Sequence, residues 1–370
     1  MTRSPRLALL ALAALCTSCA SGERPRPTPG AKNAPEPAPW EQSNPVRPLP
    51  VPPLGVAADL ADLEFRATPA KVRLGRWLFY DPRLSADGTV SCATCHQPER
   101  GFSQGEPVAT GVHGQRGTRK APPILNAAFP IYPVFFWDGR ASSLTEQAKG
   151  PMANPVEMGM EPADLVRVVR SIRSYARYFA EAYGDERVDL DRIAEAIAAY
   201  EATRLSGDSA FDRWDAGDPA ALSPEQRLGR DLFFGKAACN QCHLGFNFTD
   251  ARFHNLGVGW KAPAPGADPR TGFADRGRAV VTGKDADIGA FKTPTLRDVS
   301  RRAPYMHDGS VATLREAVEL YDRGGVPNPW LSREVKPLRL TPGEIDALVA
   351  FLKALDGDGF RDKAPAALPE

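Results

Sequence analysis

A mostly helical protein of two similar domains joined by long loops is what this 370-residue sequence predicts. Three observations predict it. Apolar residues recur with helical spacing in 69–80, 162–183, 190–204, 224–234, 314–321 and 342–355, while alternating strand patterns are scarce. The segment Arg73-Leu-Gly-Arg-Trp-Leu-Phe79 returns as Arg227-Leu-Gly-Arg-Asp-Leu-Phe233, each time followed by a short turn and a cysteine pair. Between the helices lie long stretches of Gly, Pro and Asn, which are uncommon in a plain bundle and imply that something besides helix packing organises them.

The chain begins with Arg3 and Arg6, then an apolar run over 7–15. That run is too short to span a bilayer and has the length of a signal-peptide core. It ends at Leu15-Cys16-Thr17-Ser18-Cys19-Ala20. We read 1–18 as the signal and Cys19 as the lipidated first residue of a lipoprotein facing the periplasm, with plain secretion as the alternative. Residues 19–53 are rich in Pro, Ala, Arg and Glu and read as a tether, because such a stretch buries too little apolar surface to offset its ordering entropy. Globular composition starts near 54. The two domains are placed at 54–208 and 209–370.

Composition narrows the function. Hydrophobic residues make up 42% and charged residues 25%, ordinary for a soluble globular protein. The formal net charge of +1 gives no sign of a nucleic-acid binder, which usually carries a basic patch and a high isoelectric point. Helix starts are marked by Thr68-Pro69, Ser223-Pro224 and Thr341-Pro342, where a capping residue precedes proline at the first helical position.

The chemistry lies in the cysteines. Outside the leader they form two units, Cys92-Ala-Thr-Cys95-His96 and Cys239-Asn-Gln-Cys242-His243. C-x-x-C-H is the spacing of covalent c-type haem attachment: two thiols reach the vinyl groups of one porphyrin and the histidine ligates its iron. A zinc ribbon would place two C-x-x-C units close together, and a redox dithiol would not need the histidine. Two haem c groups follow, with His96 and His243 as proximal ligands. What fills each sixth iron position decides between peroxide chemistry and electron storage.

At this point the sequence resembles the bacterial di-haem cytochrome c peroxidase and MauG family. The resemblance spans about 67–355. It is carried by Asp81-Pro-Arg-Leu-Ser85, Phe136-Trp-Asp-Gly-Arg140, Asn154-Pro-Val-Glu-Met-Gly159, Thr293-Pro-Thr-Leu-Arg297 and Ala303-Pro-Tyr-Met-His-Asp-Gly309, together with the two attachment motifs. It implies two cytochrome-c-like domains with the haems near their interface. The His96 haem would be the peroxidatic one, with Glu157 as the distal proton carrier, Pro151 lining its pocket and Trp137 relaying electrons between haems. The His243 haem would store an electron. Its sixth position falls on Tyr321, where MauG-type members carry tyrosine and peroxidases methionine. Met306 is the rival thioether, and His307 a supporting histidine. His113 aligns with a histidine that caps the resting peroxidatic iron and leaves on activation; a loop histidine facing solvent is the alternative. The family also implies a calcium ion between the haems, partly on an asparagine whose place here is taken by Lys120, which puts calcium in doubt.

The resemblance implies a peroxidase that reduces hydrogen peroxide with electrons from a small cytochrome c or cupredoxin. A MauG-like enzyme that oxidises residues of a partner protein is the alternative, and a non-enzymatic electron carrier is a second. A homodimer is implied by the same resemblance, and membrane association only through the lipid.

Overall fold

The structure is a computed structural model that describes residues 38, 40–57, 67–129, 133–358 and 361–370. The leader, with Cys16 and Cys19, and most of the tether lie outside those residues. Among the described residues there are eleven α-helices. They are α1 (Pro69–Tyr80), α2 (Cys92–Cys95), α3 (Leu144–Ala153), α4 (Pro162–Ser171), α5 (Arg173–Tyr183) and α6 (Leu190–Ala202), then α7 (Ala210–Asp215), α8 (Pro224–Phe234), α9 (Ala279–Thr282), α10 (Leu314–Asp322) and α11 (Pro342–Lys353). The one sheet among the described residues is a pair of two-residue antiparallel strands, β1 (Phe253–His254) and β2 (Phe291–Lys292), in the register Phe253 to Lys292. None of these helices is long and apolar enough to cross a membrane.

The caps form as the sequence expects. The Thr68 hydroxyl accepts from the Lys71 N–H, and Ser223 and Thr341 each build a reciprocal capping box. The periodic stretch at 162–183 is two helices rather than one. Ile172 takes an extended conformation and separates α4 from α5. The break re-phases the buried face: α4 buries Leu165 and Val169, α5 buries Tyr175, Tyr178 and Phe179. At about 100° per residue, Tyr175 would sit roughly 80° off the Leu165 seam in an unbroken helix. The helices α2, α3, α7 and α9 fall outside the expected stretches: α2, α7 and α9 are too short to show a period, and α3 contains Pro151.

Among the described residues the two larger of four apolar clusters form the main cores. The first gathers α1, α5 and α6 around Leu74, Trp77, Phe79, Tyr178, Ile197 and Tyr200; the second gathers α8, α10 and α11 around Leu232, Phe233, Val318, Leu348 and Phe351. The repeated segment has the same task in both. A Cβ added at Gly75 would lie 1.8 Å from the carbonyl oxygen of Ala196 in α6, and one at Gly229 would lie 1.8 Å from that of Ala347 in α11. Each glycine lets two helix backbones cross in contact, with Tyr200 and Phe351 one turn further on packing over the crossing.

Two stretches lie elsewhere than the sequence division places them. Within the expected tether, Trp40 packs edge-on against Trp77, and Glu41 and Asn44 are buried. At the other end, 361–370 returns to the first core: Asp362 pairs with Arg76 and Arg204, and Leu368 packs on it. The physical reason is that Arg73, Arg76 and Arg83 on that core present donors that these segments help to satisfy, through Asn44, Asp362 and Pro369, beside Glu181 for Arg73 and Asp81 for Arg83.

Candidate functional site

Both attachment motifs fold the same way. In each, the histidine N–H closes a turn onto the first cysteine's carbonyl, His96 to Cys92 and His243 to Cys239, both at 2.9 Å. The His96 Nδ1 is 3.0 Å from the Phe102 carbonyl and the His243 Nδ1 is 2.9 Å from that of Phe248. A ring that donates from Nδ1 keeps its Nε2 lone pair for a metal. Phe102 and Phe248 are fully buried and hold positive φ of 53° and 50°, a conformation costly for an aromatic residue, and it sets these carbonyls against the imidazoles. Burial pulls both imidazoles toward their neutral forms, His243 to about 4. All four thiols are free of disulfides.

Each motif opens on a cavity. The His243 cavity encloses about 1540 Å³ free of protein atoms, part of it open, and its lining is mostly apolar: Leu256, Val258, Leu296, Leu314, Val318 and Leu348 among others. The His96 cavity encloses about 1220 Å³ and is lined by Val90, Pro122, Pro151, Met158 and Ile197 with Glu157 and Glu201. Two separate thiols, an imidazole oriented through its Nδ1 and an apolar slot beside them are the donor set and cradle of a haem c, so the residues fit that group at both places.

The two cavities are unequal. Tyr321 and Met306 both line the His243 cavity. Burial raises the Tyr321 phenol, and the Cys239 and Cys242 sulfurs add to the shift. Among the described residues neither a tyrosine nor a second histidine lines the His96 cavity; Met158 at its wall is buried in the first core. His113 stands outside. Its side chain is 65% exposed, its N–H donates to Asp87 at 2.8 Å, and its Nδ1 is 3.6 Å from the same carboxylate. The backbone at His113 has φ 55°, and its ring faces solvent, as the loop-histidine alternative expects.

Glu157 is held by its own turn. Asn154 Nδ2 donates to Glu157 Oε1 at 2.9 Å, and the Asn154 carbonyl accepts from the Glu157 and Gly159 N–H groups. Burial raises the Glu157 carboxyl from its ordinary value, against the Asn154 hydrogen bond and the Arg140 charge that lower it. Pro151 sits late in α3 and lines the same cavity, where its ring leaves the Gln147 carbonyl without a helical donor. Trp137 lines the His96 cavity, the His243 cavity and a smaller one between them. Its Nε1–H donates to the Lys120 carbonyl at 2.8 Å, and its own carbonyl accepts from Lys292 N–H. His307 stacks face to face on Phe291, ring centres 3.5 Å apart.

Three residues escaped the sequence reading. Glu201 is 3% exposed, lines the His96 cavity, and its Oε2 has no hydrogen-bond partner. Burial pushes its carboxyl up to about 8. Its only signal was a charge in the otherwise apolar seam Ile193, Ile197 of α6. Lys292 lines two cavities and is drawn down to about 8 by burial. His254 lines the His243 cavity, with Nε2 2.8 Å from Asp250 and Nδ1 4.0 Å from Cys242 Sγ. Those three could gather a metal ion. Cys242 is claimed by the attachment motif, so the pair His254–Asp250 is better read as an ionic wall, with His254 raised to about 10 chiefly by Asp250.

Residues 69–220 match the family model described as di-haem cytochrome c peroxidase. The chain is 41% identical over 292 residues to the methylamine utilization protein MauG of Methylorubrum extorquens, covering 79% of each. It is 39% identical over 296 residues to the cytochrome c551 peroxidase of Nitrosomonas europaea, covering 80% of this chain and 83% of that protein. Among solved structures, a MauG-like protein associated with microbial copper homeostasis superposes with a TM-score of 0.73 at 33% identity, over 86% of this chain and 97% of that one. The chain belongs to the di-haem cytochrome c peroxidase family.

Proposed function

We propose that this protein is a di-haem peroxidase that reduces hydrogen peroxide to water with electrons from a small redox protein. The observation that carries the reading is the inequality of the two cavities: Glu157 faces the one at His96, whereas Tyr321 and Met306 face the one at His243. A haem c in each cavity, on Cys92, Cys95 and His96 and on Cys239, Cys242 and His243, would supply the iron and the redox equivalents.

Reduction of one peroxide to two waters takes up two electrons and two protons. Glu157 is suited to the proton part. Its carboxyl can accept the proton of one peroxide oxygen and return it to the other, which turns the departing oxygen into water. Asn154, bound to Oε1, keeps the carboxyl on one rotamer. Pro151, Val90 and Ile197 limit the water around it. Trp137 lines both cavities, which supports it as the relay that passes electrons between them. The donor is a cytochrome c or a cupredoxin. The leader supports a periplasmic protein held to a membrane through a lipid on Cys19.

Tyr321 favours a second reading, oxidation of residues in a partner protein, because a phenolate is a hard anionic ligand that supports higher oxidation states of iron better than a thioether does. The deciding experiment uses protein carrying two covalent haems per chain. Peroxide consumption with a reduced small cytochrome c is measured for the native protein and for Glu157→Gln. We expect turnover, and a loss of 10²–10⁴-fold in kcat/KM for the variant, the usual worth of a positioned acid–base group. Equal rates for the two, or no consumption with any donor, would refute the assignment.

A further inference from the structure

Family resemblance implies a calcium ion between the haem sites, and the residues at that place do not fit one. Lys120 stands there, 5% exposed. Its ammonium donates to the carbonyl of Gln104 and, at 3.4 Å, to that of Glu106. Carbonyl oxygens are the kind of ligand a hard divalent cation needs; the resemblance places the metal's own carbonyls near Arg302 and Pro304, and the ammonium standing at the asparagine position is held by the two at Gln104 and Glu106. The carbonyl of Glu106 is taken twice, since Gln104 Nε2 also donates to it at 2.9 Å. Nearby charge is of the wrong sign for a metal: Arg302 and Arg100 both act on Lys120, with Glu106 the opposing carboxylate. Burial first and then those two guanidiniums draw the lysine down to about 8, which leaves it mostly protonated at neutral pH.

Lys120 also ties down more than its own loop. Its N–H donates to the His307 carbonyl at 2.7 Å, and its carbonyl takes the Trp137 indole at 2.8 Å. Three segments therefore converge on it: the 103–106 loop through the ammonium, Trp137 through the carbonyl, and the 303–309 segment through the N–H.

We propose that the Lys120 ammonium is the resident cation at this junction, so that the protein assembles and holds Trp137 without calcium. A covalently linked monovalent charge neither dissociates nor responds to chelators, whereas a bound metal does both. The proposal rests on the family reading for where a metal would be looked for, and its test makes no use of peroxide turnover, so the two can fail separately.

The test takes the di-haem protein as purified, treats it with EGTA, and measures calcium content, calcium-titration calorimetry and the thermal unfolding midpoint. We expect no stoichiometric calcium, no binding heat, and one midpoint with EGTA or with excess calcium. Lys120→Met, which keeps the stem and removes the charge, should lower the midpoint by several degrees, with no recovery on adding calcium. One calcium per chain in the native protein, or a midpoint that falls with EGTA and returns with calcium, overturns the proposal. So does a Lys120→Met variant as stable as the parent. If that variant does not fold, the native-protein measurements decide alone.

Discussion

Arg297 and Asp212 meet as a two-pronged ion pair, Nη1 to Oδ2 at 2.5 Å and Nη2 to Oδ1 at 2.8 Å, with side chains 1% and 2% exposed. Asp212 also closes the capping box of α7 with Ser209, and Arg297 reaches the carbonyls of Phe246 and Gly55. One guanidinium thus joins the start of α7, the loop after the second attachment motif and the segment at Gly55. Removing one partner from a buried pair leaves the other charge uncompensated, at a cost of about 3–5 kcal/mol. Asp212→Asn is expected to lower stability by that order in denaturant titration of the haem-loaded protein. A change under about 1 kcal/mol would show that the pair is incidental.

The crossings at Gly75 and Gly229 should respond in the same way to the same change. Alanine is the better helix former by about 1 kcal/mol, so a purely local account expects Gly75→Ala and Gly229→Ala to stabilise. The added methyl would instead meet a backbone oxygen of the facing helix at 1.8 Å, and backbone cannot swing aside. We expect each variant to be destabilised by roughly 1–3 kcal/mol, the usual cost of overpacking, with lowered unfolding midpoints.

Glu201 sets a pH dependence of stability. Burial raises its folded-state carboxyl from the ordinary 4.5 to about 8. Between those values the folded protein keeps a proton that the unfolded chain releases. Stability should therefore fall as pH rises through that window, by up to about 1.4 kcal/mol per unit from this group, and level off outside it. Glu201→Gln removes the titration, and unfolding midpoints across the same pH range should lose that component of the slope.

Glu157 sets a pH dependence of activity. As a proton acceptor it must start ionised, and burial raises its carboxyl. The kcat/KM for peroxide should therefore drop on the acid side, with an inflection above that of an ordinary glutamate. Asn154→Ala, which removes the hydrogen bond favouring the carboxylate, should move the inflection further up. An acid limb that persists unchanged in Glu157→Gln would assign the titration to another group.

Trp137→Phe keeps an aromatic ring between the cavities and removes the hydrogen bond to Lys120. The stability cost should be small, about 0.5–1.5 kcal/mol. Rapid-mixing spectroscopy is expected to show peroxide binding at the native rate and slower electron exchange between the haems. Unaltered exchange would remove Trp137 from the electron path.

What the sequence determined by itself was local. The attachment motifs were legible because thiol, thiol and imidazole must be neighbours along the chain to hold one porphyrin, and the capped helices because Thr68, Ser223 and Thr341 act within one turn. The repeat around Gly75 and Gly229 was visible as letters, but its purpose is a contact with Ala196 and Ala347, more than a hundred residues away in each case. Tertiary structure alone decided that the ammonium of Lys120 occupies the carbonyls of Gln104 and Glu106, that Glu201 faces the His96 cavity unpartnered, that His113 faces solvent, and that 361–370 completes the first core. Those outcomes depend on which backbone oxygens and charges come together when distant segments pack, and burial changes what a lysine or a glutamate does without changing the residue itself.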